Sequence, residues 1–362
     1  MSVDVVSGWR FIAGARARGA VAAVLAGCVG LGLSHSAHAL EPAVVEAARK
    51  EGRVVWLTSQ IMGELALPLA GAFKSAYGIE VSVSRVTART IGERLLQAAR
   101  TRQGGVDVVD GRSAIPHLKR AGLLAPIDGL AGSGLPPEVV DREGYWVGTN
   151  LYFNAVAVNT ELVPPERRPR TLDDLLAPEW VGRMVWSSQS TVSSAAGFIG
   201  AVLRERGEEN GRTFLARLGQ QQIASFDVSS RQIVDKLIAG QFEIGLQVFH
   251  HQVAVSSGRG APVAWLPLEP LTGSVTAVAI TRQSPHPNAA RLFVEFLMSA
   301  AGQEIFREAD SLPARPGVAA KDLALMPDSG KFRGIYFTPE EAEEQMPRWQ
   351  ALRSWLFPYL VP

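Results

Sequence analysis

The polar residues with chemical potential fall in short segments, each just after an apolar run. Thr58-Ser59-Gln60 follows Val54–Leu57 and precedes a stretch of helical spacing. Hydroxyls and free amides at a helix N-terminus bind anions; simple capping of that helix is the alternative. Asp110-Gly111-Arg112 follows Val106–Val109. Gly111 permits a tight turn, and Arg112 offers a fork that matches a carboxylate or phosphate. The competing role for Arg112 is a surface ion pair. Arg85 and Arg89 follow another apolar run and could serve likewise, although exposure without a ligand role is the expected reading there.

Ser187, Ser188, Ser190 and Thr191, with Ser193 and Ser194 close behind, also follow a strand-like run and precede a helix. That is more hydroxyls than one cap needs, although Ser and Thr are common in loops. Ser230 and Arg231 repeat the pattern on a smaller scale: a cap, or a cleft charge. His250 and His251 follow Glu243–Phe249. As donors they suit an anion; as neutral imidazoles they suit a softer metal. Being adjacent, they point in different directions, so at most one faces a shared ligand. Tyr152 and Asn154 alternate to one face of a long strand, where they line a cleft or pack in a core.

These segments need elements to hold them. Val54–Leu57, Ile79–Val83 and Val106–Val109 read as buried strands, with helices predicted over 64–77, 91–100 and 115–121. Strands alternating with helices at this spacing predict parallel βαβ units, hence an α/β protein. A long strand over 146–159 leads to a second set: strands over 184–186, 223–226 and 243–249, with helices over 193–206 and 230–239. Thr171 is expected to cap a helix. A strand over 275–280 returns, and 287–308 reads as one long amphipathic helix. Two α/β lobes joined by extended hinge strands would produce this order. The expected layout is a first lobe over 40–148 and 275–310, a second over 149–274, and a helical tail over 311–362. Ligands of open α/β sheets sit beyond the C-terminal ends of the strands, which places them in the cleft.

Composition excludes several classes. A formal net charge of +1 over 362 residues carries no basic bias for nucleic acid or an anionic membrane. Arg10, Arg16 and Arg18, an uncharged run over 19–33 and the Ala37-His38-Ala39 site form an export leader over 1–39. Leu25-Ala26-Gly27-Cys28 is the rival lipoprotein box. Removing the leader takes out three Arg and one Asp, giving a net charge of −1, and with them the sole Cys. Disulfides and thiol catalysis are then excluded. No G-x-S-x-G, H-E-x-x-H, Walker A or G-x-G-x-x-G pattern is present, so an enzyme is not expected and no cofactor is called for.

In order along the chain, six segments resemble periplasmic solute-binding proteins of the iron(III)/thiamine/phosphonate type. They are 51–59, 73–81, Gly105–Asp110 with Leu118–Leu124, Leu172–Leu176 with Pro178–Arg183, Ala239–Gly245, and His286–Phe296. The resemblance implies a two-lobed type II periplasmic-binding fold, each lobe a mostly parallel sheet flanked by helices. It also implies a monomer that delivers a small solute to an ABC permease in the inner membrane, without catalysis. In the iron-binding members a Tyr-Tyr pair dominates the site; that pair falls here on His250 and His251. The family's His falls near Gln60 and Ile61, and its acid near Arg112. Ferric iron prefers oxygen donors, and Arg repels a cation. An anion is therefore expected first. Ferric iron at His250 or His251 comes second, and a ligand-sensing accessory of a membrane receptor third.

Overall fold

The computed structural model describes residues 42–101, 105–130, 135–325 and 333–357. The leader, its cleavage site and Cys28 lie outside the described residues.

The first half alternates strands and helices, as its apolar spacing predicts. Helix α1 (Pro42–Glu51) leads to β1 (Arg53–Thr58), α2 (Leu67–Tyr77), β2 (Glu80–Arg85), α3 (Ala88–Thr101), β3 (Val108–Asp110), α4 (Ala114–Arg120) and β4 (Leu124–Ala125). The long β5 (Val147–Asn159) crosses to a second set. That set comprises β6 (Met184–Ser187), α5 (Ala195–Arg206), α6 (Glu208–Gly219), β7 (Ala224–Phe226), α7 (Ser230–Ile238), β8 (Ile244–Phe249), α8 (His250–Gly258) and β9 (Val263–Leu266). Strand β10 (Leu271–Thr281) returns, followed by α9 (Pro287–Met298), α10 (Ala300–Glu308), β11 (Leu312–Pro313), β12 (Gly334–Phe337) and α11 (Pro339–Leu356).

The capping chemistry is explicit. Gly78 ends α2 with φ of 75°, its N–H donating to Lys74 O. Ser194 Oγ accepts from Ala196 N at the start of α5. Ser229 and Gln232 form a capping box on α7, and Thr338 and Glu341 form another on α11.

Three predictions need correction. Residues 287–308 form two helices, because Ser299 leaves the helical region (φ −69°, ψ 162°) and its hydroxyl caps α10 by accepting from Gly302 N. Thr171 precedes only a short 3-10 turn, Asp173–Leu176. Residues 62–66 form a π-helical turn that precedes α2.

The main sheet runs β2-β1-β3-β10-β5-β8-β6-β7. β1 pairs parallel with β2 and β3, and β6 pairs parallel with β7 and β8. β10 is antiparallel to both β3 and β5, and β5 is antiparallel to β8. The register fixes what this arrangement does. Asp110, ending β3, lies beside Val278, which pairs with Val147 at the start of β5. Phe249, ending β8, pairs with Asn154. The strands of the two sets therefore end facing each other across residues 147–154 of β5. Seven residues of strand span roughly 23 Å.

Hydrophobic burial divides in the same way. Trp56, Phe73 and Phe293 belong to one core, with Phe293 lying 5.2 Å from Trp56 and 5.0 Å from Phe73 between ring centroids. Trp180, Trp186, Phe198 and Trp349 belong to another. A smaller cluster, including Val185, Val234 and Val248, also lies among the second-set elements. Residues 312–325 join the first core, whereas residues 335–357 join the second. Helix α11 seats Trp349 on Gly200, where an added Cβ would come within 2.5 Å of the ring.

Candidate binding cleft

The first wall of the cleft is built from the ends of β1 and β3. Asp110 is buried, and both its oxygens are engaged. Ser59 donates to Oδ1 from its N–H (2.8 Å) and its hydroxyl (2.7 Å). Thr58 Oγ donates to Oδ2 and itself accepts from Gln60 N–H at 3.0 Å. Burial pushes the Asp110 carboxyl up from its ordinary range, and the hydrogen bonds from Thr58 and Ser59 pull it back. Thr58 and Ser59 thus both bond to Asp110, and the segment forms a platform joined to β3.

Gln60 extends from that platform. Its Nε2 donates to Asn150 Oδ1 at 2.9 Å, and its Oε1 accepts from the Tyr152 hydroxyl at 3.4 Å. Gly111 follows Asp110 with φ of 142°, and a Cβ there would meet Ala88 Cβ at 3.1 Å. Glycine at this turn lets the chain pass α3 and aim Arg112 along the crossing strands.

Arg112 is the cation nearest the facing strand ends, beside Tyr152 and Phe249. Its Nη1 donates to Ser274 Oγ at 3.3 Å, and Ser274 pairs with Tyr152 in the β10–β5 register. The guanidinium carbon lies 5.2 Å from the Tyr152 ring centre and 5.3 Å from that of Phe249. Among the described residues no carboxylate forms an ion pair with it. Burial lowers the guanidinium pKa from its ordinary value, with Tyr152 acting in the opposite sense. Arg is nonetheless always charged at neutral pH.

The second wall comes from the start of α8. His250 is fully buried; its Nδ1 meets Phe153 O at 2.9 Å and its Nε2 has no partner. His251 lies 5.1 Å from the Tyr152 ring and 5.3 Å from Phe249, and its buried Nδ1 also lacks a partner. Burial lowers His250 to a pKa of about 4. Burial, then the neighbouring His250 and Arg112 charges, lowers His251 to about 3. Both are neutral at physiological pH. On its other side His251 borders an open cavity of about 360 Å³, which α8 shares with residues 310–325.

The remaining sequence-predicted residues make no hydrogen bond to Arg112 and have partners of their own. Ser187 Oγ donates to Val228 O at 2.7 Å. Ser188 N–H donates to Phe226 O. Ser190 Oγ accepts from Gln350 at 3.1 Å, and Thr191 pairs with Ser193. Ser230 Oγ donates to Gln252 and accepts from Phe249 N–H at 2.9 Å, so it braces the α8 junction. Arg231 is tied to Asp235 at 3.0 Å and to Ser256 at 2.8 Å. Asn154 Nδ2 donates to Thr272 O and is buried. Three contributors escaped the sequence reading: Ser274, Phe249 and Asn150. Phe249 could have been found as the strand-end residue beside the His pair; Ser274 needed the β10–β5 register.

For a bare metal the donors are sparse. Among the described residues, no group of three His, Cys, Asp or Glu is placed to hold a metal ion.

The family model described as "Bacterial extracellular solute-binding protein" matches residues 104–335. The chain is 22% identical over 271 residues to the Fe(3+)-binding periplasmic protein of Serratia marcescens, covering 70% of this chain and 77% of that one. It is 24% identical over 236 residues to the phosphoglycerate transport regulatory protein PgtC of Salmonella typhimurium, covering 63% and 57%. Among solved structures it resembles Trichodesmium IdiA (FutA) in complex with iron and citrate. That match has a TM-score of 0.69 and 18% identity, and covers 84% of this chain and 99% of that one. Likeness at this level shows the shared fold, that of type II periplasmic-binding proteins.

Proposed function

This chain belongs to the bacterial extracellular solute-binding protein family, and from that premise we propose that it captures a small organic anion for an ABC permease. The single observation behind the anion is Arg112, a cation held between the strand ends of both sets with no carboxylate partner. A buried charge without a counter-ion is costly, and an incoming carboxylate or phosphoryl group supplies one. Ser274 Oγ and the platform under Gln60 sit beside it. The protein acts in the periplasm as a non-catalytic carrier. It closes on the solute, docks on the permease and releases it there. Among the relatives, one belongs to phosphoglycerate transport, whereas one structure holds citrate together with iron and the Serratia relative is named for binding Fe(3+).

The test is a thermal-shift screen of protein purified from periplasmic expression of the full chain. Its panel is dicarboxylates, phosphonates, sugar phosphates, thiamine and ferric citrate. A ligand at 100 times its Kd stabilises by about 2.7 kcal/mol, and the shift is expected with metal-free anions and reduced to about half or less in Arg112→Ala. A second reading, an iron–carboxylate chelate, is supported by the free His250 Nε2 and His251 Nδ1. A shift with ferric citrate alone, and none with citrate, would establish it.

A further inference from the structure

We infer that the solute carries its acid group on a flat unsaturated ring, an aryl carboxylate, phosphate or phosphonate. The inference rests on the anion reading above and names the body of the same ligand.

Arg112 does not sit in a polar cradle. Tyr152, Phe249 and His251 form a closed trio of rings beside it. Their centroids are 5.1, 5.3 and 5.5 Å apart, with interplanar angles of 47°, 40° and 58°. These separations lie within the range of attractive aromatic pairs, about 4.5–7 Å. All three rings are partly exposed. Tyr152 and Phe249 belong to none of the three hydrophobic cores of the described residues. Packing of the fold therefore does not account for them.

The trio has no charge to offer. Its third member, His251, is neutral at physiological pH, so Arg112 is the one cation against these rings. A compact inorganic oxyanion would satisfy Arg112 and Ser274 and turn its other oxygens toward aromatic carbon. Leaving those oxygens desolvated and unpaired is unfavourable. An aryl acid divides the work: its acid group meets Arg112 and Ser274, and its ring meets the trio.

The experiment is calorimetric titration of the full-chain protein with two matched pairs: benzoate against acetate, and phenylphosphonate against methylphosphonate. The aryl member of each pair is expected to bind at least about tenfold tighter, the scale of one or two aromatic contacts. Phe249→Leu is expected to weaken phenylphosphonate about tenfold and methylphosphonate less. The wild-type pairs decide the matter even should that variant fail to fold. Equal affinity within both pairs overturns the aryl ring while leaving the anion site standing. Absence of binding by all four acids overturns this inference, and absence of any shift with the metal-free anions of the thermal screen overturns the anion reading as well.

Discussion

Arg112 and Arg231 each follow a strand and a tight or hydroxyl-bearing turn, and they end in opposite circumstances. Arg231 lies on α7, where Asp235 stands one helical turn later and Ser256 completes its shell. Arg112 stands two residues before α4, whose sequence offers no acid one turn on, and it meets only Ser274 and two rings. The serines divide likewise. Those of the second set cap helices and bind carbonyls, whereas Thr58 and Ser59 organise a buried carboxylate that supports the turn to Arg112. A cleft charge is thus distinguished from a structural one by its missing counter-ion more than by its position after a strand.

Exchanging each arginine for alanine tests that distinction most severely. A hydrogen bond to a charged group contributes about 1.5–3 kcal/mol. Arg112→Ala should therefore weaken anion binding by roughly 10- to 150-fold in a calorimetric titration. Arg231→Ala loses an exposed i,i+4 pair worth about 0.3–0.5 kcal/mol and should leave affinity within about twofold. A comparable loss in both variants would mean that Arg231 swings from Asp235 into the cleft.

Acid should act at the aromatic trio next. His250 and His251 have folded pKa values of about 4 and about 3, depressed below the ordinary value of 6.5. Groups with depressed values contribute stability that is fully present above the unfolded pKa. It is lost as pH falls toward the folded pKa, because the unfolded chain then binds more protons. Stability should be flat from about pH 7 to 8 and fall between about 6.5 and 4. The slope is about 1.4 kcal/mol per pH unit for each His protonated only on unfolding. Urea midpoints against pH measure it. His251→Phe should flatten the fall by about half; an unchanged profile would place the responsible protons elsewhere.

Much of the scaffold was legible in sequence because it is written locally. Apolar runs at Val54–Leu57, Val106–Val109 and Glu243–Phe249 coincide with β1, β3 and β8 within a few residues. The break at Ser299 was masked because apolar periodicity continues through α10, and only the serine cap interrupts it. In the cleft, Gln60, Arg112 and Tyr152 could be named from strand-end logic, and they do meet. Ser274 could not, since it is 162 residues from Arg112 and joins it only through the β10–β5 register. Nor could the bonding of Ser187 and Ser190. Their partners, Val228 O and Gln350, are set by tertiary contacts that the serine pattern does not encode.

The two hydroxyl platforms should also differ in what they support. Asp110→Asn replaces one acceptor oxygen by a donor, setting an NH₂ against Thr58 or Ser59. Leaving those buried donors unmatched should cost about 1–3 kcal/mol and also weaken binding, because the turn to Arg112 loses its anchor. Ser194→Ala, in contrast, removes the side-chain acceptor for Ala196 N–H at the start of α5 and the hydroxyl's bond to Thr191 O. Loss of such a cap typically costs about 1 kcal/mol, visible as a lower urea midpoint at unchanged anion affinity. The pair separates structural hydroxyls from site-building ones within a single experiment. A drop in affinity for Ser194→Ala, with folding stability held by comparison at equal fractional denaturation, would put the serine loop back among the residues that govern the cleft.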